Sequence, residues 1–582
     1  MKKLLKYLKG YYIQSILAPT FKMLEAIFEL LVPLAVAAII DKGINATPKA
    51  DKGVVFAMCG VMIALGVIGL VSAICAQYFA ARAAVGVATR VRSALFEKIQ
   101  SFSYKMTDNI GTSTLITRMT GDINSMQTGV NMFLRLFMRS PFIVFGSMVM
   151  AFTLDKTEGK QLSLTFLAVI LILLVVVFGI MLISIPLYKR NQAKLDRVVA
   201  KIRENFNGTR VVRAFNKETD EIKEFDAGNT ALTKIQLFAG RVSALMNPLT
   251  YVIINLGIIF LIHRGAIAVN TGSLTQGELL AVYNYMSQIL VELIKLASLI
   301  ITLNKASASS KRVFDIIDTP SDTKRQISEN EISDDSAVVF KNVSFRYHKG
   351  GENAVSNITF SVNKGETIGI IGGTGSGKST LVNLLPGFYA PDEGGVFVNG
   401  KNASLYEKTE LNELFGVVSQ KAVLFKGTIR SNLLWGKSDA SDEELWQALS
   451  LAQAEDFVKE KPCGLDSPVE QNGNNFSGGQ KQRLSIARAL ARRPEFLIFD
   501  DSASALDYAT EARLRSSLQN LDYAPTVFII SQRASSILHA DKIIVLDDGE
   551  IVGMGAHSEL IESCDVYKEI YYSQFPEEGA EI

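Results

Sequence analysis

The stretch ETIGIIGGTGSGKSTLVNLL, Glu366 to Leu385, decides the fold of this 582-residue chain. A β-branched run, Thr367 to Ile371, leads directly into Gly372, Gly373, Thr374, Gly375, Ser376, Gly377, Lys378 and Ser379, and a helix-forming run follows. That is the pattern GxxxxGKS between a strand and a helix. Its glycines let backbone N–H groups close around phosphate. Lys378 reaches the terminal phosphates, and Ser379 offers a hydroxyl to Mg²⁺ at a helix N-terminus. The stretch predicts an α/β P-loop domain that binds ATP with Mg²⁺.

Two further segments fit the same domain. FLIF, Phe496 to Phe499, reads as a buried strand ending in Asp500, a carboxylate suited to holding Mg²⁺ beside the phosphates. FSGGQ, Phe476 to Gln480, opens the helix-forming run KQRLSIARAL. It presents backbone N–H groups and a serine hydroxyl at a positive helix end, a second anion site. Alone, either segment reads as ordinary core sheet or a flexible cap; beside the phosphate loop, those readings lose.

The rest of the chain has another character. Its composition is 48% hydrophobic, and its mean hydropathy of +0.21 is high for a soluble protein. Sixty Lys and Arg against 58 Asp and Glu leave a net charge of +2, which argues against a nucleic-acid partner. The cysteines Cys59, Cys75, Cys463 and Cys564 lack CxxC spacing and read as reduced thiols. MKKLLKYLKGYY shows no small-residue cleavage site after it and predicts an uncleaved amphipathic lead-in helix.

A polar, charged segment begins near residue 320. It separates a membrane domain, 1–319, from a nucleotide-binding domain, 336–582, with 320–335 as linker. Six segments are long and apolar enough to cross a bilayer: Ile13–Ile40, Val54–Ala81, Phe133–Leu154, Leu162–Leu187, Val242–Val269 and Gly277–Leu303. The two longer connecting segments carry most of the Lys and Arg, which places them and both termini in the cytosol. Their apolar periodicity, as in VATRVRSALFEKIQSF, predicts that the spanning helices continue well beyond the membrane.

Six spans followed by one P-loop domain resemble an ABC exporter half-transporter of the type IV fold, over nearly the whole chain. The resemblance assigns Walker A to Gly372 through Thr380, the Q-loop to Gln420 with a share in Mg²⁺ binding, and Walker B to the strand ending at Asp500. Tyr347 becomes the aromatic that stacks on adenine. The signature Ser477, Gly478, Gly479 and Gln480, with the D-loop ending at Asp507, would act in trans on a second chain's ATP. NIGTSTLITRMTGDI, Asn109 to Ile123, and GTRVVRAFNKETDEIKEF, Gly208 to Phe225, resemble the regions that press on nucleotide domains.

Against that family the chain departs at the catalytic positions. Members that hydrolyse ATP have Glu after the Walker B aspartate and a histidine near the γ-phosphate; here these are Asp501 and Gln532. Aspartate is shorter by one C–C bond, about 1.5 Å, and a misplacement of about 1 Å can cost on the order of 100-fold in rate. Gln532 is neutral and cannot carry a proton. Gln471 stands where many exporters have Glu. Neutral drift in a homodimer is the competing reading, but two catalytic positions differ together while Walker A, the Q-loop and the signature are intact. The expectation is the degenerate-site subunit of a heterodimeric, ATP-hydrolysing translocase, whose partner half-transporter has the catalytic Glu and His.

Charges within the spans bear on what is carried. Lys22, Glu25 and Glu29 lie in the first span and Glu292 and Lys295 in the sixth. Each costs roughly 2.5–3.5 kcal/mol at bilayer depth, so they face a cavity or each other. An ion pair of Glu25 or Glu29 with Lys295 rates about even with a substrate role. Free acids would favour cationic amphipathic drugs, with Phe28, Tyr283, Tyr285 and Met286 as contact surface. The resemblance also points to multidrug export across a bacterial plasma membrane. Lipid translocation, peptide export (weakened because no peptidase domain precedes the spans) and an ATP-gated regulator are the alternatives; six spans exclude a soluble ABC protein.

Overall fold

The computed structural model describes residues 3–46, 50–155, 160–320, 336–348, 350–502 and 504–575. All but the first residue of the expected linker lies outside them. The chain forms two compact units, Met1–Ser101 with Gly111–Thr319, and Phe102–Ile110 with Pro320–Ile582.

The first unit is helical. Among the described residues six segments can cross a membrane: Tyr12–Ile44, Lys52–Gln100, Thr112–Leu154, Leu162–Asn207, Glu218–Asn270 and Gln276–Ile317. The lead-in helix is short, Leu4–Tyr7. The second span begins where the Asp51 carboxylate accepts from the N–H groups of Gly53 and Val54. Its 49 residues reach about 70 Å, more than twice the ~30 Å hydrocarbon core, so the helices do run on past the membrane. A capping box between Thr275 and Glu278 starts the sixth span. Asp41 ties that start to the first span by accepting from the Thr275 hydroxyl at 2.6 Å and the Gly277 N–H at 2.9 Å.

In the second unit a six-stranded sheet runs Glu550–Gly555, Lys542–Asp547, Thr367–Gly372, Thr526–Ile530, Phe496–Asp500 and Phe415–Val418 from edge to edge. Its strands are parallel except for the first pair. Ile368 to Ile371 and Phe496 to Phe499 are buried, as strands covered on both faces must be. The phosphate loop and Asp500 thereby emerge at the C-terminal ends of parallel strands, with Thr526–Ile530 between them. A four-stranded antiparallel sheet, Val355–Val362, Val338–Phe345, Glu393–Val398 and Lys401–Asn402, carries Tyr347 just beyond one strand end.

Phe102–Ile110 packs within this second unit. The Tyr104 ring stacks on Phe388 at 4.6 Å, Asp108 accepts from the Tyr389 hydroxyl at 2.7 Å, and Lys105 donates to the Arg346 carbonyl at 3.1 Å. Burial, reinforced by the bond to Asp108, pushes the Tyr389 phenol above its ordinary range. The second unit thus takes in Phe102–Ile110, including the first two residues of the segment Asn109–Ile123, while residues 111–123 belong to the helical unit. Aromatic anchors at 104, 388 and 389 make the difference.

Candidate nucleotide site and the charges of the spans

The phosphate loop is shaped by glycine. At Gly377 φ is +93°, and a Cβ there would lie 2.5 Å from the Ala354 carbonyl, so no larger residue fits. Helix Lys378–Leu384 begins immediately after. Lys378 is buried, and its ammonium donates to the Gly372 carbonyl at 2.9 Å and to that of Gly373. Burial pulls its pKa below the ordinary ammonium range, against the upward pull of Asp501 and Asp500.

Ser379 Oγ donates to Asp500 Oδ1 at 2.8 Å. Burial pushes Asp500 above the usual carboxylate range, and the charge of Asp501 adds to the push while Ser379 opposes it. A hydroxyl and a carboxylate oxygen side by side at a helix start are the hard oxygen donors that Mg²⁺ takes beside phosphates. These residues fit Mg²⁺ and the phosphates of ATP.

Asp501 follows in the left-handed region, φ +46°, with its N–H on the Ile530 carbonyl at 3.0 Å. Its carboxylate accepts from Gln420 Nε2 at 3.2 Å, so the structure joins two residues singled out from the sequence. Gln532 is exposed, and its backbone carbonyl accepts from Gln574 at 2.8 Å. Tyr347 is half-buried. Its ring meets Phe345 and Tyr389 edge-on, and its hydroxyl lies 2.9 Å from Thr380 Oγ1.

Ser477 caps the helix Gly478–Ala491, and its capping box with Gln480 uses that glutamine within the chain. Gly478 stays open around its Cα, whereas a Cβ on Gly479 would stand 3.1 Å from the Ala505 carbonyl. Asp507 caps the helix Tyr508–Gln519 through the Thr510 N–H. Gln471 opens a short 3₁₀ turn just before the signature.

The family of the ABC transporter transmembrane region matches residues 15–293, and the ABC transporter family matches residues 355–504. The uncharacterized ABC transporter ATP-binding protein YfiB of Bacillus subtilis is 36% identical over 583 residues, the whole of both chains. This chain belongs to the ABC transporter family. YfiC of the same organism, also an uncharacterized ABC transporter ATP-binding protein, is 30% identical over 96% of the transporter and 92% of its own length. The solved structure of a bacterial Atm1-family ABC exporter with ATP bound superposes with a TM-score of 0.78 at 23% identity, over 98% of each chain. The transporter therefore has the ABC exporter fold, a six-span helical domain followed by an α/β nucleotide-binding domain.

Within the transporter's spans the five charged residues singled out from the sequence, Lys22, Glu25, Glu29, Glu292 and Lys295, gather around Arg139 of the third span. Its guanidinium donates to Glu292 at 2.6 Å and Glu29 at 2.7 Å, and it stands 3.7 Å from Glu25. Lys22 pairs with Glu25, Lys295 reaches Glu292 at 2.8 Å, and Ser140 donates to Glu292 at 2.8 Å. The expected pair of Glu25 or Glu29 with Lys295 does not form. Lys295 lies one helical turn from Glu292, while the planar fork of Arg139 spans acids on two helices.

Three carboxylates thus meet three cations, and the condition for cation preference, free acids, is not met. Tyr285 and Met286, expected at a substrate surface, are buried instead; the Tyr285 hydroxyl donates to the Leu30 carbonyl at 2.7 Å. Tyr283 is half-buried. Arg139 escaped the sequence reading, although an arginine inside the third predicted span should have prompted a search for the acids that neutralise it.

Proposed function

We propose that this transporter is the degenerate-site subunit of a heterodimeric exporter in a bacterial plasma membrane, moving amphipathic small molecules outward at the expense of ATP. The observation that carries the reading is Asp501: a short carboxylate in the Walker B position, hydrogen-bonded to Gln420, with neutral Gln532 in place of a switch histidine. Tyr347, Gly372 to Thr380, Gln420 and Asp500 would hold Mg²⁺ and ATP persistently. Ser477 to Gln480 and Asp507 would complete the partner's site, where that chain's own Glu and His drive hydrolysis. The closed ion network supports a structural role for Glu25, Glu29, Glu292 and Lys295, and it removes the basis for a cationic preference.

Nucleotide retention tests the reading. The complex purified from membranes, loaded with Mg²⁺ and radiolabelled ATP and desalted after turnover, should keep close to one intact ATP per dimer. Lys378→Ala in this chain should abolish that retention. Retention of none, or of two that are hydrolysed equally fast, contradicts the proposal.

A further inference from the structure

We propose that the transporter binds the anionic head of an amphipathic molecule at Lys305, between the third and sixth spans. The inference deepens the export reading and rests on it. A cavity of about 300 Å³ is lined there by Asn124, Ser125, Thr128, Ile301, Thr302 and Lys305. No carboxylate lines it among the described residues, and Lys305 is exposed and in no ion pair there.

The nearest acid along the third span is already taken. Asp122 accepts from Arg118 at 2.8 Å and from Arg312 at 3.0 Å, two guanidinium groups on one carboxylate. Arg92 donates to Asn124 Oδ1 at 3.4 Å, which brings a second cation to the cavity edge and leaves the amide NH₂ free to donate. Two turns outward from Thr128 on the same helix face, Arg135 keeps its Nε buried and without a hydrogen-bond partner. The Arg139 network beyond it is neutral. The charge left over on this wall is therefore positive.

Lysine in such a place acts as a point charge for carboxylate or phosphate oxygens. The hydroxyls of Ser125, Thr128 and Thr302 now donate to carbonyls one turn back, and as rotors they can turn to a ligand oxygen. A second cavity of about 370 Å³ farther along the sixth span, lined by Val32, Val36, Asn284 and Gln288 among others, is neutral and mostly apolar. It gives no cation an acid to meet either.

The test uses the full-length transporter, with whatever subunit co-purifies, in phosphatidylcholine nanodiscs. Binding of pyrenebutyrate and of pyrenebutyl-trimethylammonium is followed by fluorescence anisotropy, with empty discs subtracted. Pyrenebutyrate should saturate. Lys305→Gln should weaken it about tenfold, as for loss of one charge-assisted hydrogen bond, whereas Lys305→Arg and, outside the cavity, Lys311→Gln should stay within about twofold of wild type. Lys305→Glu should reverse the preference.

Adding phosphatidylglycerol identifies the source. Competition that depends on Lys305 means a lipid headgroup, and its absence means a soluble amphipath; each supports the site. Equal binding of both probes, or indifference to Lys305→Gln, overturns it. ATP-driven uptake into inside-out vesicles reads the export proposal separately. Uptake with Lys305-independent binding sinks only the site, and Lys305-dependent binding without uptake of either probe sinks only export.

Discussion

Gln420 Nε2 donates to Asp501 Oδ2 across 3.2 Å. A carboxylate one C–C bond shorter than glutamate thereby lies against the Q-loop amide, and its oxygens sit about 1.5 Å short of where a longer side chain would place them. Replacing Asp501 with Glu should raise hydrolysis at this chain's site by on the order of 100-fold. In the proposed heterodimer, phosphate release isolates that site when the partner's Walker B glutamate is replaced by glutamine. A rate unchanged by Asp501→Glu would mean that reach is not the defect.

Arg139 is the keystone of the charges in the spans. Arg139→Met would leave Glu292, whose side chain is only 3% exposed, with Lys295 as its one paired cation among the described residues, and should cost about 3–5 kcal/mol. Thermal unfolding of the detergent-extracted chain reads the loss. Adding Glu292→Gln should recover part of it, because the uncompensated carboxylate goes; a double variant less stable than Arg139→Met would contradict the pairing.

The nucleotide unit grips the segment Phe102–Ile110 through Asp108 and Tyr389. A double-mutant cycle of Asp108→Asn and Tyr389→Phe should show coupling of about 1 kcal/mol, since the bond carries a formal charge but is exposed. The raised Tyr389 pKa has a definite sign. The protonated phenol's contribution is fully present below the ordinary tyrosine pKa and is lost as pH rises through the higher folded value, so unfolding followed from pH 9 upward should show a decline that Tyr389→Phe lacks.

What the sequence made legible follows physical lines. Six spans, their long helical extensions and the phosphate-loop strand were readable because each rests on a local pattern: apolar length, helical periodicity, or a glycine run between strand and helix. The cavity was not, because lining depends on helix phase. At 100° per residue Tyr283 and Tyr285 point some 200° apart, so both could not face one cavity. Arg139 was missed because its three acids come from two other spans, a relation that no local window contains. The packing of Phe102–Ile110 in the second unit was not legible because its anchors, Phe388 and Tyr389, lie nearly 300 residues away in sequence.

ATPase activity of the membrane-purified chain, alone and with its partner, tests the central claim most directly, with glutamine at the partner's Walker B glutamate as control. The account predicts turnover only in the pair and its loss in that control. Robust turnover by this chain alone, abolished by Asp501→Asn, would show that Asp501 is a working base and contradict the degenerate-subunit account.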